Sequence, residues 1–178
     1  MTEAAVICQR IDHDAINRMA ARLSVIKKLY IIGLGGSLAN AIHMAADLRK
    51  LCEVDAEAFD NIAELTARMN DEGPETIFDN WLEKISRQDA LMVLSVGGGT
   101  PEVSRGICLA VERAKKNGAA IFGIVGPQGG YTASNADLCI KVPVANEKHI
   151  TPHTEAFQIV ISHCLVSHPL LQKNRTTW

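Results

Sequence analysis

Four short runs along the chain are apolar at nearly every position: Leu29 to Leu34, Ala90 to Val96, Ala119 to Val125 and Leu138 to Val144. Three of them are continuous rather than alternating. Strands that are apolar on both sides belong in a sheet covered on both faces, which is the habit of parallel sheets. Between the second and third runs, Pro101 to Asn117 carries Val103, Ile107, Ala110, Val111 and Ala114 at helical spacing and stops at Gly118, which predicts a crossover helix. The same spacing at Ile16, Met19, Ala20, Leu23 and Ile26 predicts an amphipathic helix over about 11–27. Further helices are expected from Ser37 to about Cys52, near Glu75 to Ile85 after an irregular piece at Asn70 to Pro74, and from about Thr154 to Ser167, where Pro169 ends the last one. Strands alternating with helices predict an α/β, three-layer sandwich with a parallel sheet flanked by helices. No repeat, low-complexity stretch or linker interrupts the pattern, so 1–178 reads as one domain with a frayed tail over 172–178.

Composition narrows the classes of function. With 178 residues and 47% apolar content the chain has material for a real core. Its 18 Lys and Arg against 20 Asp and Glu leave a net charge of -2, so no basic excess serves a nucleic acid or an anionic membrane. No apolar run approaches the roughly 18–20 residues of a membrane span. Met1 to Arg10 lacks the charged and apolar blocks of a signal peptide, which reads as a soluble, cytoplasmic protein. The five cysteines, Cys8, Cys52, Cys108, Cys139 and Cys164, are scattered without a C-x-x-C pair and read mostly as reduced packing residues.

Chemistry concentrates after the strands. Gly33-Leu34-Gly35-Gly36-Ser37, Ser95-Val96-Gly97-Gly98-Gly99-Thr100 and Gly126-Pro127-Gln128-Gly129-Gly130 follow three successive runs and share one edge of the sheet. In open parallel sheets the ligand crevice lies beyond the carboxyl ends of the strands, and glycines let main-chain amides approach an anion there. The second loop adds Thr100 as a helix cap, Pro101 at the first position and Glu102 in the first turn, a helix end suited to a phosphate. The plain alternative is that the glycines only turn the chain. The first loop departs from the dinucleotide fingerprint at Leu38, and no loop carries the Gly-Lys-Ser or Gly-Lys-Thr of a nucleotide triphosphate site.

Two helices carry polar side chains at telling spacings. Asn40, His43 and Asp47 fall on one stripe, and an imidazole and a carboxylate four residues apart can bind a divalent ion, act as an acid/base pair, or simply face solvent. Glu155 and His163 stand two turns apart on the last helix, in a region that also holds His149, His153 and His168.

These features together make the sequence resemble the sugar isomerase (SIS) domain family, and within it the sedoheptulose-7-phosphate isomerases, from about Val25 to His168. The resemblance implies a SIS fold of flavodoxin-like topology, usually a homotetramer whose sites draw on neighbouring subunits, with a phosphosugar as substrate and no nucleic acid or membrane as partner. It implies substrate binding at Leu34, Gly35, Gly36, Ser37, Asn70, Asp71, Ser95, Val96, Gly97, Thr100 and Glu155. Zinc, or another divalent ion, would be held by His43, Asp47, Glu155 and His163, with Asp47, Glu155 and His163 as the catalytic groups. A register one residue earlier would pair Thr154 with Ser162 instead, a poorer ligand pair. The chain departs from the family pattern at Leu34, where an asparagine is usual, in two missing hydroxyls of the Ser95 to Thr100 loop, and in Asp47 for Glu and Glu155 for Gln. The implied reaction is isomerisation of sedoheptulose 7-phosphate to D-glycero-D-manno-heptose 7-phosphate by enediol proton transfer. The departures leave two alternatives to that reading: a phosphosugar-binding SIS protein without activity that acts as a regulator or protein partner, and related chemistry on another phosphosugar.

Overall fold

The computed structural model describes residues 1–176. Its elements run α1 (Thr2–Arg10), α2 (His13–Leu23), β1 (Leu29–Ile32), α3 (Gly36–Cys52), β2 (Ala56–Ala58), α4 (Ile62–Asp71), α5 (Ile77–Trp81), β3 (Ala90–Ser95), α6 (Arg105–Lys116), β4 (Ala120–Val125), α7 (Gly130–Asn135), β5 (Leu138–Lys141), a 3-10 turn (Glu147–His149) and α8 (Ile150–Val166). The five strands form one sheet in the order β2-β1-β3-β4-β5, and every pairing is parallel. That is the doubly wound, flavodoxin-like order, with its switch point between β1 and β3.

Alternation along β3 explains the three layers. Ala90, Met92 and Leu94 point into a core shared with α1, α2, α3 and α8, whereas Leu91 and Val93 point into the opposite core with α5 and α6. All six residues of β3 are buried. Both sides of the central strand therefore lose water, which is why its sequence shows no polar alternation.

Several expectations are corrected. The segment 11–27 is expected as a single N-terminal helix, but α2 occupies only His13–Leu23, and α1 precedes it, held by the buried Ile7. The edge strand β2 and the helix α4 have no sequence signal: β2 is three residues long with Glu57 in its middle, and α4 buries no side chain. The irregular piece at Asn70 to Pro74 instead begins as the last turn of α4, and the helix near Glu75 to Ile85 is the short α5. The crossover helix does not start at Thr100–Pro101. It starts at Arg105, behind Ser104 in a left-handed conformation (φ 61°), and Thr100 Oγ1 accepts the Val103 amide at 3.0 Å, closing a local turn. The tail is docked where fraying is expected: Leu171 is buried, and the amides of Lys173 and Asn174 donate to the Leu51 carbonyl at the end of α3. Residues 177–178 of that tail lie outside the described residues. The cysteines are free thiols, and burial pushes Cys52 and Cys139 up to about 11, so these two stay protonated packing groups at neutral pH.

Candidate functional site

At the switch point the loops after β1 and β3 wall a cavity of about 260 Å³. Leu34 and Ser37 come from the first loop, and Ser95, Val96, Gly97, Gly99 and Thr100 from the second. Gly98 supplies the backbone turn between them at φ 73°, and a Cβ there would collide with the Gly129 carbonyl. Its carbonyl accepts the Thr132 amide at 2.9 Å and the Thr132 hydroxyl at 2.7 Å, while the Gly99 carbonyl accepts the Tyr131 amide at 2.8 Å. The third glycine loop, together with α7, thus braces the second rather than lining the cavity itself. The Ser95 hydroxyl accepts the Gly98 amide at 3.0 Å. The amides of Gly97 and Gly99 have no partner in the chain among the described residues. Two unspent donors beside a left-handed turn make a concavity for an anion.

Glu155 enters this same cavity from α8. It packs on Gly36, where a Cβ would meet the carboxylate at 2.6 Å, so a side chain at 36 would have to displace the end of Glu155. Asn40 fixes the approach of the two helices: its Nδ2 donates to the Glu155 carbonyl at 2.8 Å and to Gln158 Oε1 at 2.9 Å. Gln158 Nε2 in turn donates to the Ser37 hydroxyl at 3.1 Å, which leaves the Ser37 proton for the cavity.

Further along the same helix pair is a cleft of about 500 Å³ containing His43, Asp47, Lys50 and His163. His43 Nε2 lies 3.1 Å from Asp47 Oδ2 and 3.4 Å from His163 Nε2, and His163 Nε2 lies 3.7 Å from Asp47 Oδ2. Ligands about 2.0–2.1 Å from a tetrahedral zinc stand about 3.4 Å from one another, so the three atoms already occupy three corners of such a site. They form a group that could hold a metal.

The structure therefore brings together three of the four expected ligands. Glu155 is two helical turns, about 12 Å, up the axis from His163 and belongs to the loop cavity. Thr154 and Ser162 are buried on the core side of α8 with hydroxyls that lack partners among the described residues, so the earlier register does not supply ligands to the cleft. Gly35 and Gly36 turn the chain into α3 beside the cavity. Asn70 and Asp71, bonded to each other at 2.8 Å, lie on the last turn of α4 and line neither space among the described residues. The sequence reading missed Val103 and Ser104 at the cavity and Lys50 at the cleft. Ser104 could be found only once the turn at 100–104 was known. Lys50 had a signal, since it continues the stripe of His43 and Asp47 by three residues.

A scan against models of known protein families finds no match. Individual proteins do match. The lincomycin biosynthesis protein LmbN of Streptomyces lincolnensis is 35% identical over 150 residues, 76% of this chain, which spans about half (54%) of that protein. A phosphoheptose isomerase of Rhodospirillum rubrum is 32% identical over 159 residues, 85% of this chain and 80% of that protein. Among solved structures, the phosphoheptose isomerase of Neisseria gonorrhoeae superposes with a TM-score of 0.81 over 93% of this chain and 92% of that one, at 23% identity, so the fold is the same. With this much of a whole relative covered at such identity, the chain belongs to the phosphoheptose isomerase family.

Proposed function

We propose that the protein interconverts sedoheptulose 7-phosphate and D-glycero-D-manno-heptose 7-phosphate. The observation that carries this reading is the placement of an anion-type cavity and a two-histidine, one-carboxylate cleft at the two ends of one helix pair. The phosphate docks on the amides of Gly97 and Gly99 with the hydroxyls of Ser37, Thr100 and Ser104. A seven-carbon chain anchored there runs along α3 and α8, so its middle hydroxyls meet Glu155 and its C1–C2 end meets Asp47 and His163. Distance from the phosphate thus selects between the two carboxylates: Asp47 is the base and Glu155 a hydroxyl acceptor.

Asp47 takes a proton from C1 of the ketose and returns it to C2, while His163 passes the O1 proton to O2, so the aldose forms with no net gain or loss. His43, Asp47 and His163 would hold a divalent ion such as zinc, which supplies a Lewis acid for the carbonyl oxygen. Reading the protein as a cytoplasmic homotetramer gives Asn70 and Asp71 a role, in a neighbouring copy's site; a monomeric mass in solution would remove it.

The test is conversion of sedoheptulose 7-phosphate to the aldose, followed by NMR in the wild type and His163→Ala. Conversion by the wild type alone supports the reading, and equal rates remove the histidine from it. The hydrophobic Leu34 and Val96 on the cavity wall favour a second reading, a phosphosugar binder without turnover. That reading predicts thermal stabilisation by the sugar phosphate with no conversion in metal-loaded protein.

A further inference from the structure

A second two-histidine, one-carboxylate group stands at the other face of the start of α8. Glu3 Oε2 of α1 lies 2.9 Å from His149 Nδ1 and 2.6 Å from His153 Nε2. All three offer ligand atoms within 4.8 Å of one another. His149 and His153 are one turn apart, the spacing that aims two imidazoles at one ion. None of the three takes part in the cavity or the cleft described above.

The hydrogen bonds around the group are in conflict. The Asn146 amide is oriented by two contacts: Oδ1 accepts the Lys148 amide at 3.0 Å, and Nδ2 donates to Glu3 Oε1 at 2.7 Å. That places the same Nδ2, a donor, 3.2 Å from His149 Nδ1. If Nδ1 carries a proton, it donates to Glu3 but confronts the Asn146 amino group. If it does not, its lone pair faces the Glu3 Oε2 lone pair at 2.9 Å. No protonation state of His149 satisfies both neighbours. A cation drawing on the lone pairs of Nδ1, His153 Nε2 and Glu3 Oε2 removes the second clash, and Asn146 keeps Oε1 as its acceptor and orients the carboxylate from behind.

We propose that Glu3, His149 and His153 form a second site for a divalent transition-metal ion of the zinc class, one that ties α1 to the start of α8 and is separate from the proposed isomerase chemistry. Water completes the coordination. The group is assembled from residues 146 positions apart, so binding stabilises the docked α1 and not the unfolded chain.

The test uses the full chain and zinc alone. In a His43→Ala/His163→Ala background, zinc retained after gel filtration and measured by plasma emission should be one equivalent per chain. Adding His149→Ala and His153→Ala should reduce it to none. Glu3→Gln in the first background, which keeps a partner for Asn146, should weaken zinc at least tenfold by calorimetry while its melting curve in EDTA matches that of its parent. Circular dichroism confirms that each variant is folded. A folded His43→Ala/His163→Ala protein that takes up no zinc, or zinc that survives removal of both His149 and His153, overturns the proposal. Because the readout is metal count, it stands or falls independently of the isomerase reading, which the activity assay decides.

Discussion

At the strand end of the α3–α8 pair the cavity includes Gly97 and Gly99, whose amides have no partner among the described residues, whereas about 12 Å along the helices the cleft gathers the ionisable side chains of His43, Asp47, Lys50 and His163. The first depends on backbone conformation: Gly98 at φ 73°, Ser104 at φ 61°, and the bracing of the loop by α7. The second depends on helical periodicity, which puts His43 and Asp47 on one stripe and His163 opposite them. A backbone site binds a phosphate regardless of which sugar carries it. A side-chain site is tuned residue by residue. The two ends should therefore fail differently when altered.

The largest expected effect is at the cleft. His163→Ala should lower turnover by about 10²–10⁴-fold, the usual worth of a positioned acid/base group, with inhibition by inorganic phosphate unchanged. Parallel loss of phosphate inhibition would show that the two ends do not act separately. At the backbone end, Gly98→Ala forces a side chain into a left-handed position against the Gly129 carbonyl. It should cost about 1–3 kcal/mol of stability, read in a denaturant melt, and raise KM well above its effect on kcat. A wild-type KM in that variant removes the loop from phosphate binding.

The carboxylates sharpen the division. Asp47→Asn should lose bound metal at the cleft, and Glu155→Gln should keep it while raising KM, with both counts taken by plasma emission in a His149→Ala/His153→Ala background. Metal lost from both would return Glu155 to the ligand set. Leu34→Asn should improve KM by about fivefold, the worth of one hydrogen bond of about 1 kcal/mol, and a weakened KM would mean that Leu34 packs against substrate. The smallest effect lies far from both ends. Asp12 caps α2 by accepting the Ala15 amide at 2.9 Å, and that bond, with help from Arg18, lowers its pKa below 3.8. A depressed carboxylate adds stability that is full above its unfolded pKa and is lost as pH falls through the folded one. Asp12→Asn keeps the cap but removes the charge, so its melting temperature should lie slightly below the wild type at pH 7 and converge with it as pH falls below about 4.

The sheet and the glycine loops were legible because burial on both faces writes continuous apolar runs, and because an anion-binding turn needs residues without Cβ atoms. The edge strand Ala56–Ala58 and the helix Ile62–Asp71 were not, since a three-residue edge and a helix with no buried side chain leave no periodic trace. At the site, the stripe on α3 carried His43 and Asp47, while the eight-residue spacing of Glu155 and His163 suggested a shared ligand that the helix geometry divides.

Local order thus follows from the amino-acid sequence by itself: which segments become strands, which helix face is polar, and that loops at one sheet edge can hold an anion. Those are consequences of hydrophobicity and backbone sterics acting over a few residues. Only the packed structure decided that Asn40 and Gln158 set how α3 meets α8, that Glu155 faces the glycine loop after β3 rather than the histidines, and that Glu3 reaches two histidines far along the chain. Such contacts join residues more than 100 positions apart, and their geometry is fixed by the angle and offset at which buried surfaces fit together, which no short stretch of sequence contains.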